Sequence, residues 1–143
     1  MYQPQLNKGF TLLELQISLG IIAILLFLSV PVSLSLLEQQ REKEFLETFE
    51  HDVLYIQHLA SSTLNNVRIT FQSDKYTIFY ESKAIEVREY PPGVRMAPSS
   101  FRYLSFTKTG SIRQAGQILI TTPSHHYSAV FPPGKGRFHL VEY

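Results

Sequence analysis

A chain of 143 residues that is 44% apolar and 17% charged, with a formal net charge of +1, is neither a disordered polymer nor a uniformly basic nucleic-acid binder. It has room for one modest core and one apolar segment, and not for a second large domain. Cysteine is absent, which excludes a disulfide framework, a thiolate zinc site and a cysteine nucleophile.

The first charge, Lys8, is followed at once by Gly9, and between Glu14 and Glu38 run 23 uncharged residues, 15–37. As a helix this run extends roughly 35 Å, enough for a bilayer. Fifteen of its residues are Leu, Ile, Val or Phe, so the expected reading is a single membrane span. The order of features differs from a removable secretory signal, which places its cations first and ends in a small-residue cleavage site. Glu14 is the odd residue. Either the helix begins at residue 15 and leaves this carboxylate among headgroups, or the charge sits in apolar surroundings and needs a partner.

Lys8-Gly9-Phe10-Thr11-Leu12-Leu13-Glu14 before an unbroken apolar run resembles the processing site of type IV prepilins and of the pseudopilins of type II secretion. The resemblance implies a leader over residues 1–9, cleavage after Gly9 by a prepilin peptidase, and N-methylation of the new terminus at Phe10. It makes Glu14 the fifth mature residue, where the family pairs this carboxylate with the terminal amine of a neighbouring subunit and so fixes the filament register. A physical reason accompanies it: two charges in an apolar medium attract strongly when paired and are costly when unpaired, so slips are penalised. Pro31 falls where many pilins carry proline. There it kinks or loosens the helix; the alternative is a helix boundary at the membrane surface.

Strong helix formers follow from Glu38, and then Phe45, Phe49, Val53, Ile56, Ala60 and Leu64 trace one apolar stripe at helical spacing. His51 and His58, seven apart, suit a solvated face rather than a metal. From Val67 the period changes to two, and strands are expected at about 67–72, 76–81, 84–89, 103–107, 117–122, 127–131 and 137–141, with turns at Ser73-Asp74 and Pro91-Pro92-Gly93. The expected fold is α+β and pilin-like: one long N-terminal helix, membrane-spanning in its first half, packed on a small antiparallel sheet head. The expected units are leader 1–9, transmembrane and filament-core helix 10–37, amphipathic helix 38–65 and sheet head 66–143.

Phe106 with Gly110, then Gly116-Gln117-Ile118, Tyr127, and Gly134-Lys135-Gly136-Arg137 look like the minor pilins of Gram-positive competence systems, the ComGD type. That resemblance implies a non-catalytic assembly subunit serving DNA uptake. Its partners would be major and minor pilins, the prepilin peptidase, the membrane, a platform protein and, indirectly, an assembly ATPase. It places the chain in the cell membrane as a single-pass protein with its head outside the cytoplasm, and in a cell-surface filament after assembly. A type II secretion pseudopilin shares every physical argument. A single-span anchored enzyme or binding domain is the rival of another class.

Charge is sorted along the chain: residues 38–65 hold six acids and two bases, whereas residues 90–141 hold Arg95, Arg102, Lys108, Arg113, Lys135 and Arg137 and no acid. These cations suit DNA phosphates or the acidic stalk of a neighbouring subunit. Gly134–Arg137 lacks the spacing of a phosphate-binding loop and reads as a hairpin turn, and His125-His126 has no metal-ligand partner at a local spacing. Neither cofactor, metal nor small-molecule substrate is expected.

Overall fold

The computed structural model describes residues 9–63, 65–134 and 137–143, and for residues 29–35 the backbone alone. The chain divides into two units, one ending at Glu38 and one running from Gln39 to Tyr143.

Helix α1 spans Leu12–Ser62. Its described side chains fall in two stretches, 12–28 and 36–62, and these differ in character. In the first, every described side chain is exposed, including all the large apolar ones. In the second, Phe45, Phe49, Val53, Ile56 and Ala60 are buried, so the stripe expected from their spacing is the face that packs; Leu64 lies outside the described residues.

Eight strands follow: β1 Val67–Phe71, β2 Lys75–Tyr80, β3 Lys83–Glu89, β4 Arg95–Pro98, β5 Tyr103–Ser105, β6 Gly116–Thr121, β7 His126–Phe131 and β8 His139–Glu142. They form two four-stranded antiparallel sheets, ordered β3-β2-β1-β5 and β4-β6-β7-β8. The helix stripe and the inner residues of both sheets build one core, with Phe49 edge-on to Tyr76, Phe71 and Phe138, and Phe131 packed on Phe101 and Phe138. In sheet one, Ile78 pairs with Glu86 but Phe79 pairs with Ala84, leaving Ile85 as the extra residue of a β-bulge on the outer strand.

The fold therefore corrects two expectations. The small single sheet is replaced by two sheets, because β1 takes β5 as its second neighbour while β4 pairs with β6. Nor does the structure bear out the expected membrane span: among the described residues, no helix is long and apolar enough to cross a membrane. In residues 36–62 the charged side chains gather between Glu38 and Asp52, and one face is buried. With the span goes the expected placement as a single-pass protein of the cell membrane with an external head.

Candidate functional site

Gly9 and Phe10 precede the helix. A Cβ on Gly9 would meet nothing within 4 Å, and Phe10 is 81% exposed, so among the described residues nothing covers the Gly9–Phe10 peptide. Thr11 starts the helix: its Oγ1 accepts the Glu14 N–H at 3.2 Å and its carbonyl accepts the Leu15 N–H at 3.1 Å. Thr11-x-x-Glu14 thus has the spacing of a capping box, with Glu14 at the third helical position, where the helix dipole favours a carboxylate. This signal was present in the sequence, and reading Glu14 only as a charge in an apolar run passes over it. The Glu14 carboxylate is exposed and has no hydrogen-bond or ion-pair partner among the described residues. It is free to meet a partner outside its own chain. From Leu12 to Leu28 the large apolar side chains point outward on all sides of the helix, at least half exposed in each case. The side chain of Pro31 lies outside the described residues.

The six cations do not make one patch. Arg102, Lys108 and Arg113 gather around β5, the outer strand of sheet one: Arg102 precedes it, and Lys108 and Arg113 lie on the hairpin that follows. That hairpin is closed by Thr107 N–H to the Ser111 carbonyl at 2.8 Å and Arg113 N–H to the Ser105 carbonyl at 3.0 Å. Gln57 of α1 fixes it by donating to the Gly110 carbonyl at 2.7 Å. Arg95 and Arg137, in contrast, lie at β4 and β8, opposite edges of sheet two, and Lys135 lies outside the described residues.

Two polar groupings in the unit from Gln39 onward join distant residues. In the first, Tyr76 Oη donates to Asp52 Oδ2 at 2.8 Å and Arg88 Nε donates to the same oxygen at 3.1 Å, with Arg88 also 3.2 Å from Glu86. Burial, then the bond to Asp52, raise the Tyr76 phenol well above the tyrosine range, and Arg88 is raised by its own bond to Asp52. In the second, the buried Glu42 carboxylate accepts from Ser124 Oγ at 3.2 Å and lies 3.9 Å from His125 Nδ1, while His125 Nε2 lies 3.7 Å from Glu142. Local spacing gave His125 no acidic partner; the fold supplies one from α1 and one from β8. The two carboxylates stand at opposite nitrogens of the ring, so they do not converge on one ion, and no group of three potential ligands able to hold a metal occurs among the described residues.

Both groupings hold elements together, whereas the exposed apolar helix, the open peptide before it and the β5 cations face outward. Comparison with known proteins finds no match, whether to protein-family models, to curated sequences or to solved structures.

Proposed function

We infer that this chain is a structural subunit of a helical filament, of the minor-pilin kind that serves competence systems and DNA uptake, and that it has no catalytic role. One observation carries this reading. The helical stretch 12–28 exposes its apolar side chains all round, while the unit from Gln39 onward has a complete core of its own. Apolar side chains in water lose about 25 cal/mol per Å² relative to cover, so such a stretch seeks other apolar helices. Like stretches of neighbouring subunits provide that cover.

Maturation fits the same picture. Cleavage after Gly9 by a prepilin peptidase leaves a methylated amine on Phe10, about one turn from Glu14. Glu14 of one subunit then pairs with the amine of another. The capping role of Glu14 and this pairing are compatible, since its carboxylate has no partner among the described residues. A pseudopilin of type II secretion would use the same residues with different cargo.

The experiment is intact-mass and N-terminal analysis of the protein purified from its native cells. A chain beginning at methylated Phe10 is expected. A chain that retains Met1–Gly9 in assembled material overturns the reading.

A further inference from the structure

Resting on the filament reading, the charge pattern points to a contact between the heads of successive subunits. The solvent face of α1 beyond residue 36 presents Glu47 and Glu50 beside Leu54 and Tyr55, the last two 42% and 50% exposed. Glu47 has only Lys43 at 3.8 Å, an exposed pair that contributes little, and Glu50 has no side-chain partner among the described residues. The β5 segment presents the opposite surface: Arg102, Lys108 and Arg113 are exposed, none is paired through its side chain among the described residues, and Tyr103 between them is 46% exposed.

Each surface thus combines charge of one sign, unpaired or only weakly paired, with exposed apolar area. Within one chain they do not satisfy each other. We propose that a second copy of this chain sets its Glu47, Glu50 and Leu54 face against Arg102, Tyr103 and Arg113 of the first. Such a contact joins two different patches, so it is heterologous and repeats without closing unless the rotation happens to complete a ring. It therefore suits an open helical assembly. Charge complementarity of this kind fixes the register and suppresses wrong pairings.

The absence of cysteine makes the test clean, because introduced thiols have no native competitor. Full-length chains carrying Glu50→Cys are mixed with chains carrying Arg113→Cys under mild oxidation. The mixed disulfide is expected in excess over either homodimer. Arg102→Glu with Arg113→Glu should reduce association roughly tenfold at low salt, and combining it with partners carrying Glu47→Lys and Glu50→Lys should restore it. Restoration by the swapped pair excludes misfolding as the cause of the loss. No mixed disulfide, a Glu50→Cys homodimer alone, or loss of DNA retention by the arginine variant with association unchanged would each overturn the proposal. If chains mature at Phe10 yet the mixed disulfide is absent, this contact fails and the filament reading stands; retention of Met1–Gly9 in assembled material fails the filament reading itself.

Discussion

The phenol of Tyr76 donates to the carboxylate of Asp52 across 2.8 Å, tying the centre of sheet one to the helix at a point where Tyr76 has no solvent exposure at all. Arg88 from the outer strand binds the same oxygen, so one carboxylate serves three elements. Asp52→Ala leaves a buried hydroxyl without its acceptor and a half-buried guanidinium with Glu86 alone. A loss of about 2–4 kcal/mol in urea unfolding is expected, against about 1–2 kcal/mol for Tyr76→Phe, which removes only the donor. Equal effects from the two variants would show that the carboxylate matters to the phenol alone.

Alkaline pH acts on the same region. Burial raises Tyr76, the Asp52 bond reinforcing it, and pushes Tyr90 up to about 12, with Asp74 adding to the shift. The Tyr90 hydroxyl is also buried without a hydrogen-bond partner among the described residues. An unfolded tyrosine titrates near 10, so the folded chain holds protons that the unfolded chain releases. Their contribution is fully present below about pH 10 and is lost as pH rises through about 12 and beyond. Thermal midpoints measured from pH 9 to 12 should fall only above about pH 10, and Tyr90→Phe should flatten part of that fall.

Two glycines respond differently to a methyl group. Gly93 follows Pro91-Pro92 in a turn closed by Val94 N–H to the Pro91 carbonyl at 3.0 Å, with φ +83° at Gly93 and an added Cβ 2.6 Å from Pro123. Gly134 also has a positive φ, +70°, but an added Cβ meets nothing within 4 Å. Gly93→Ala should cost about 2–4 kcal/mol, through strain and collision together, and Gly134→Ala about 1 kcal/mol, through strain alone. Parallel denaturation curves of the two variants check the difference.

Helix capping and filament register can be separated at Glu14. Glutamine serves the third position of a capping box as glutamate does, so Glu14→Gln keeps the helix start and removes the charge. Exchange protection of the first-turn amides should persist in Glu14→Gln, while its crosslinking to neighbouring subunits is lost. Thr11→Ala should do the reverse, weakening the first turn by about 1 kcal/mol and leaving assembly in place. Undiminished crosslinking of Glu14→Gln would remove the register role.

Period was the reliable guide to the unit from Gln39 onward. The stripe from Phe45 to Ala60 is the buried face of the helix, and seven of the eight strands lie where alternation placed them, give or take their ends. Arg95–Pro98 gives no clear strand signal because it is four residues long and ends in proline, a combination tolerated at the outer edge of a sheet, where β4 sits. The division into two sheets was not legible, since alternation says which residues face inward and nothing of which strand meets which. For the same reason the acids beside His125 were invisible, as Glu42 stands 83 positions upstream. The membrane span is a different case: uncharged length in the sequence implies one, whereas among the described residues no helix is long and apolar enough to cross a membrane.

The bulge at Ile85 has a protective side. A molecule that presents bare leucine and isoleucine along a helix invites promiscuous sticking, and a flat, regular strand on the rim of sheet one would add a template for ribbon-like growth. The extra residue bends that rim and spoils its ladder of donors and acceptors, so chain-to-chain growth along it is discouraged, and ordered stacking is left to the surfaces with matched charge.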